Sequence, residues 1–170
     1  MIDHTASGAP PRHLIAPAVL ARLVQAAQIA PTAIVLDVGA GTGYGAAVLS
    51  RLANSVVALE PDAELAAAAT ENLVAADVSN VAVLAEPLAA GFPAEAPYDA
   101  IVVEGAVDAV PEALLRQLKD GGRLVAMVGR GQAAAGTVFL RSGDAFGART
   151  LFNAGAEPLP GFERSAGFVF

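Results

Sequence analysis

The sequence predicts one α/β domain with a doubly wound, mostly parallel sheet of the seven-stranded type and an antiparallel C-terminal edge. Three observations support this fold class. Short apolar runs alternate with helix-like segments through five predicted strands, as in parallel βαβ units. Two further strand-like runs follow each other without a helix, as antiparallel neighbours do. A glycine cluster follows the first strand, where such sheets bind ligands.

The size, composition and charge of the chain exclude several classes of function. The chain has 170 residues, and 55% of them are hydrophobic but only 5% aromatic. The absence of cysteine excludes disulfides and thiolate metal sites, and we expect no metal ion. With a net charge of −7 and Lys119 as its single lysine, the chain lacks the basic patches of a nucleic-acid binder. No apolar run reaches membrane-spanning length, so we expect a cytoplasmic protein without membrane contact.

The order of the elements follows from apolar periodicity and from glycine and proline positions. Residues 1–12 are predicted to be a flexible lead, and residues 13–170 a single domain. Pro17 is expected to begin a helix that runs to about Gln28. Further helices are predicted at Gly43–Ala53, Asp62–Ala76 and Pro111–Leu118. Strands are predicted at Ile34–Val38, Ser55–Leu59, Val81–Leu84, Tyr98–Val103 and Arg123–Val128, with a turn at Gly121-Gly122 and a closing antiparallel pair at Thr137–Arg141 and Thr150–Phe152.

The glycine turn is the main functional signal. Its spacing is Asp37-x-Gly39-x-Gly41-x-Gly43, between a strand and a helix. Glycines allow a ligand to approach the backbone without a Cβ in the way. The dinucleotide fingerprint would need a third glycine at the position of Tyr44, so a nicotinamide cofactor is the weaker alternative. The observed spacing resembles the first motif of class I S-adenosylmethionine-dependent methyltransferases, although a purely structural turn remains a further alternative.

Acidic residues follow the next two strands. Glu60 ends the second strand, where a carboxylate can accept hydrogen bonds from both hydroxyls of an adenosine ribose. Glu86 lies just past the third strand, level with an adenine ring. The predicted cofactor-binding residues are Asp37, Gly39, Gly41, Thr42, Gly43, Tyr44, Glu60 and Glu86.

From Ile15 to about Gly161 the chain resembles the protein-L-isoaspartate O-methyltransferase family. The resemblance is carried by Val35–Tyr44, Gly91-Phe92-Pro93, Ala96–Val103, Val110–Val125 and Val128-Gly129. It implies a Rossmann-like methyltransferase fold and S-adenosyl-L-methionine as cofactor. It also implies a cytoplasmic repair enzyme that methylates the carboxyl group of isoaspartyl residues, with a protein or peptide as acceptor.

The sequence departs from the family pattern at three places. Ile15 stands where the family has an active-site serine, and Ala85-Glu86-Pro87 replaces a Gly-Asp-Gly. Only about thirty residues precede the first strand, fewer than in the family. No catalytic residue is therefore assigned, and the alternative is a catalytically degenerate cofactor-binding module. Glu104, after the fourth strand, is expected to be either an acceptor-side group or a solvated loop carboxylate.

Overall fold

The computed structural model describes residues 12–163. Its helices in this range are α1 (Pro17–Ala27), α2 (Tyr44–Ser50), α3 (Ala63–Ala75) and α4 (Glu112–Leu115), with a 3₁₀ turn at Pro93–Glu95. Its strands are β1 (Ile34–Val38), β2 (Ser55–Leu59), β3 (Val81–Leu84), β4 (Tyr98–Val107), β5 (Leu118–Val128), β6 (Ala135–Ser142) and β7 (Ala145–Asn153).

All seven strands form one sheet in the order β3-β2-β1-β4-β5-β6-β7. Strands β1 to β5 pair in parallel, whereas β6 is antiparallel to β5 and β7 is antiparallel to β6. The predicted fold class is confirmed. Strand order reverses between β1 and β4, so the segments that leave these two strands lie at the edge where doubly wound sheets bind ligands.

Local sequence explains where the first elements begin and end. Pro17 occupies the first turn of α1, and Gln28 closes the helix in the left-handed region with φ of 51°. The carboxylate of Asp62 caps α3 by accepting hydrogen bonds from the N–H groups of Glu64 and Leu65. β1 is apolar apart from Asp37 and is buried between the helical layers, as expected for a central parallel strand.

Several predicted boundaries were wrong. The predicted turn at Gly121-Gly122 lies inside β5, because the pairing with β4 passes from Tyr98↔Leu118 to Ala100↔Arg123. The extra β5 residues bulge out of the ladder there. Leu118 thus belongs to the sheet, which shortens the predicted helix at Pro111–Leu118. The helix predicted at Gly43–Ala53 is also shorter, and β4 extends beyond its predicted end at Val103.

The core lies on both faces of the sheet. α1 packs across β4, β5 and β6 on one face, and buried Leu20 and Leu23 belong to that cluster. The other face is covered by α4 and by a C-terminal segment that includes Leu159 and Phe162. The predicted lead lies outside the described residues except for Arg12. None of the described helices is long and apolar enough to cross a membrane.

Candidate functional site

The glycine turn connects β1 to α2 and is held against the end of β2. The N–H groups of Gly39 and Ala40 both donate to the carbonyl of Leu59, at 2.9 and 3.0 Å. Gly39 has φ of 92°, a conformation that favours glycine. A Cβ at Gly39 would also lie 2.9 Å from a methyl group of Leu159. The backbone at Gly39 therefore carries no side chain and is packed closely against Leu159.

Glu60 is fully buried at the end of β2 and is bound directly to this turn. Its Oε2 accepts a hydrogen bond from Gly41 N–H at 2.8 Å, and its Oε1 accepts one from Asp62 N–H at 3.2 Å. The guanidinium of Arg12 completes the set with two parallel hydrogen bonds of 2.9 and 3.0 Å. Such charge-assisted, bidentate pairs are among the stronger polar contacts in proteins. The sequence predicted Glu60 beside the turn but gave no sign of Arg12.

Asp37, near the end of β1, and Glu104, within β4, form a second acidic group. Asp37 is fully buried, and Glu104 is 3% exposed. Neither Asp37 oxygen nor Glu104 Oε1 receives a hydrogen bond from a donor group among the described residues. Burial raises the pKa of Asp37 to about 7, with Glu60 adding to the rise. Burial, followed by the adjoining Asp37, raises the pKa of Glu104 well above its usual range.

Two adjoining buried carboxyl groups cannot both ionise without a large cost, and both raised pKa values favour the state in which a proton is held between them. With that proton on Glu104, its O–H donates to the Asp37 carboxylate, and the contact becomes a hydrogen bond. As two carboxylates, the same groups have no donor between them. The expectation that Glu104 is a solvated loop carboxylate was wrong, because β4 continues through residue 104 and buries it.

Gly45 provides the room that Glu104 occupies. A Cβ built on Gly45, in the first turn of α2, would overlap Glu104 Oε1. Any larger residue at position 45 would therefore force the carboxyl group to move. The sequence shows Gly45 only as one more glycine after Gly39, Gly41 and Gly43. Its relation to an acid 59 positions away could not be read from local spacing.

The remaining predicted residues lie around the turn. Thr42 is half-buried, and its carbonyl accepts a hydrogen bond of 3.0 Å from Asn72. Tyr44 is 44% exposed at the outer rim, so it is not packed in the core. Glu86 is exposed beyond the end of β3, and no hydrogen bond within residues 12–163 links it to the turn. The structure thus brings together Asp37, the glycine turn and Glu60, with Tyr44 at the rim and Glu86 apart.

Two cavities of different size adjoin this group. The gap at Gly39–Gly41 measures about 10 Å³ and is closed by residues 12–15. Beside it lies a cavity of about 260 Å³ between the start of α1, the end of β4 and the loops at residues 131–132 and 155–157. Glu104, His13 and Ile15 line both cavities. Glu104 therefore stands between the glycine turn and the larger cavity.

The C-terminal segment covers the same edge of the sheet. Ala106 N–H donates to the Glu157 carbonyl, and Leu159 N–H donates to the Ala106 carbonyl, each at 2.8 Å. This pairing places the Leu159 side chain over Gly39 and Gly105. No role was predicted for this Pro/Gly-rich segment, since an isolated bridge of this kind leaves no periodic pattern.

The chain is similar to known proteins over most of its length. A family model described as protein-L-isoaspartate(D-aspartate) O-methyltransferase matches residues 10–150. A protein-L-isoaspartate O-methyltransferase of Koribacter versatilis is 46% identical over 113 residues, which are 66% of this chain and 51% of the relative. One of Roseiflexus castenholzii is 41% identical over 145 residues, covering 85% of this chain and 66% of the relative. The chain spans about half the length of the first curated relatives that it matches.

Solved structures give the same fold. A protein-L-isoaspartate O-methyltransferase superposes with a TM-score of 0.79 at 27% identity, over 85% of this chain and 47% of that one. A protein of Plasmodium falciparum, solved with S-adenosyl-L-homocysteine, superposes with a TM-score of 0.63 at 20% identity. That match covers 82% of this chain and 70% of the other.

Proposed function

We propose that this chain binds S-adenosylmethionine and transfers its methyl group to a carboxylate, on the premise that it belongs to the protein-L-isoaspartate(D-aspartate) O-methyltransferase family. The acceptor that the family name implies is an isoaspartyl residue of a protein or peptide, and the role is protein repair in the cytoplasm. Substrate and role are part of this proposal, because the chain spans about half the length of its first curated relatives.

One observation carries the cofactor proposal: the buried Glu60 carboxylate is bonded to Gly41 N–H at 2.8 Å. An acid at the end of β2 and a glycine turn after β1 thus meet at the edge where such sheets take nucleoside ligands. Glu60 would accept the ribose hydroxyls, and the bare backbone of residues 39–43 would lie beneath the ligand. Glu86 would face the adenine from the end of β3. Asp37, Thr42 and Tyr44 would complete the surroundings.

Arg12 now fills the position that the ribose would take. Its guanidinium holds both oxygens of Glu60, and the space left at the turn is that of one water molecule. The donors that a ribose diol offers match those that Arg12 supplies, which is why the residues fit the ligand chemically. Binding requires Arg12 and the residues that follow it to move away from the turn.

The methyl transfer itself requires no proton transfer by the protein's acids or bases. The bound cofactor supplies a methyl group on a positively charged sulfur. An acceptor carboxylate is already ionised near neutral pH, so no general base is needed. The chain's residues would orient the acceptor and exclude water. The 260 Å³ cavity lined by Glu104 would hold that acceptor.

A second candidate is a module that binds the cofactor without isoaspartyl activity. Ile15 favours it, because this residue lines the acceptor-side cavity, is 5% exposed and has no hydroxyl to offer. The two candidates differ in one measurable property. Both predict cofactor binding, but only the first predicts a methyl ester on the acceptor.

Two measurements test the proposal. Calorimetry should detect binding of S-adenosylhomocysteine, and labelled S-adenosylmethionine should yield base-labile label in an isoaspartyl peptide. Glu60→Ala should weaken cofactor binding by about 1–3 kcal/mol, the range for a hydrogen bond to a charged group. Glu71→Ala, a change on α3, is the matched control and should bind as the unaltered protein does. Binding of NADH instead of the adenosyl ligand would reject the proposal.

A further inference from the structure

The buried pair of Asp37 and Glu104 has no part in the methyl transfer proposed above, since an ionised acceptor needs no base. Burying adjoining carboxyl groups costs stability unless other groups compensate. Acids whose proton affinity is strongly perturbed also cluster at functional sites. The position of Glu104, which lines both the turn and the larger cavity, suggests that the pair acts on what enters that cavity.

The charges around Glu104 are unfavourable to an anion. The titratable or charged side chains that face it or share its cavities are Asp37, Glu60, Arg12, His13 and Glu157. In the ligand-free protein, Arg12 is engaged in its bidentate contact with Glu60, which neutralises its charge. Among the described residues, no lysine or arginine lines the larger cavity. A carboxylate entering it would meet two adjoining acids with no cation beside them.

We propose that Asp37 and Glu104 control which acceptors the cavity takes: a carboxylate binds while the pair shares a proton and is repelled once that proton is lost. The identity of the acceptor rests on the proposed function. While the proton is held, Glu104 O–H donates to the Asp37 carboxylate, and the pair carries one negative charge instead of two. The pair is thus a specificity determinant, placed beside the acceptor rather than at the reacting atoms.

The pair keeps its shared proton above the usual carboxyl range because it is buried. Burial is the main cause that raises the pKa of both groups, and the pKa of Glu104, which holds the shared proton, is raised well above its usual range. The rise is supported by geometry, because Gly45 lets the Glu104 carboxyl lie against α2, where a Cβ would exclude it. The acceptor affinity of the cavity should therefore fall as the pH rises through the range in which Glu104 ionises.

The experiment is a calorimetric titration of an isoaspartyl peptide into the protein saturated with S-adenosylhomocysteine, from mildly acidic to mildly alkaline pH. In the unaltered protein, affinity should fall by up to about tenfold per pH unit above the titration of the pair, the limit set by linkage. Glu104→Gln retains a donor to Asp37 but has no proton to lose at position 104, so the fall in acceptor affinity assigned to that proton should be absent from this variant. The acceptor peptide with its carboxyl group amidated should bind without this pH dependence.

Two control variants isolate the pair. Glu157→Gln removes an exposed carboxyl group from the same cavity and should keep the pH dependence of the unaltered protein. The series is repeated with His13→Gln, because this imidazole lines both cavities. A pH dependence that disappears with His13→Gln and survives Glu104→Gln would assign the effect to the imidazole and overturn the proposal.

The remaining outcomes of the experiment also support or overturn the proposal. Equal pH dependence with and without Glu104 overturns the proposal, and so does an affinity that rises with pH, which would indicate a base for a neutral acceptor. Infrared spectroscopy of the ligand-free protein should show the carbonyl band of a protonated carboxyl group, lost in Glu104→Gln; its absence at neutral pH overturns the shared proton. If the protein binds no S-adenosylhomocysteine, the proposed function fails, while the infrared result still decides on the pair.

Discussion

Removing the Arg12 side chain should destabilise the ligand-free protein and strengthen cofactor binding. In Arg12→Ala, the buried Glu60 carboxylate loses two of its four hydrogen bonds and keeps those from Gly41 and Asp62. Two charge-assisted bonds are worth about 3–6 kcal/mol before desolvation, and the burial cost of the pair offsets part of that. We therefore expect the free energy of unfolding to fall by about 2 kcal/mol.

The same contact sets the expected gain in affinity. The unaltered protein must break the Arg12–Glu60 pair to bind the cofactor, whereas Arg12→Ala has no pair to break. Affinity for S-adenosylhomocysteine should therefore rise roughly tenfold, bounded by about 2 kcal/mol, since 1.36 kcal/mol corresponds to one factor of ten. Arg116→Ala, which removes an exposed arginine paired with Glu112 on α4, should change neither quantity.

Urea denaturation and calorimetry measure the two effects separately. If Arg12 competes with the cofactor for Glu60, Arg12→Ala should lower the free energy of unfolding of the ligand-free protein and raise its affinity for S-adenosylhomocysteine. Weaker binding in Arg12→Ala would refute the reasoning, because it would make the arginine a ligand contact rather than a competitor. Unchanged stability would show that the pair contributes nothing net despite its geometry.

Two further predictions concern the second acidic group. Because the pKa of Asp37 is raised from 3.8 to about 7, the folded protein holds a proton between these pH values that the unfolded chain releases, so stability should decline as pH rises through that window. Asp37→Asn should flatten this decline in urea titrations, and an unchanged slope would contradict it. Gly45→Ala should destabilise the protein through overlap with Glu104, but in a Glu104→Ala background it should stabilise the helix by up to about 1 kcal/mol. Thermal unfolding of the four proteins measures this change of sign, and destabilisation in both backgrounds would contradict it.

The fold could be predicted where its signals are local. The apolar runs at Ile34–Val38, Ser55–Leu59 and Val81–Leu84 gave the bounds of β1, β2 and β3 as observed. The bulge at Gly121 could not be predicted, because its φ of 77° has the same local sequence signal as a turn. Only the pairing of Leu118 with Tyr98 distinguishes the two, and pairing partners are not written in the spacing of one segment.

The same distinction between local signals and long-range contacts applies to the residues of the site. The turn and Glu60 were predictable, because parallel strands bring their carboxyl ends to one edge whatever their separation in sequence. Arg12 and Leu159 were not, since each reaches the turn through a single long-range contact from a segment without periodic pattern. The burial of Glu104 was missed for a third reason: the prediction ended β4 at Val103, and one more residue of strand turns a loop acid into a core acid.

Charge at this edge of the sheet links Arg12 to the acid pair. With the shared proton in place, Glu60 and the pair carry two negative charges against the single positive charge of Arg12. If a cationic adenosyl ligand takes the place of Arg12, one positive charge replaces another. The net charge near Asp37 and Glu104 then stays the same. A neutral adenosyl ligand would remove a positive charge and strengthen the pair's hold on its proton, because nearby cations favour the ionised form. The proposed reaction turns the first kind of ligand into the second, so each transfer would raise the pair's proton affinity, and the return of Arg12 would lower it again.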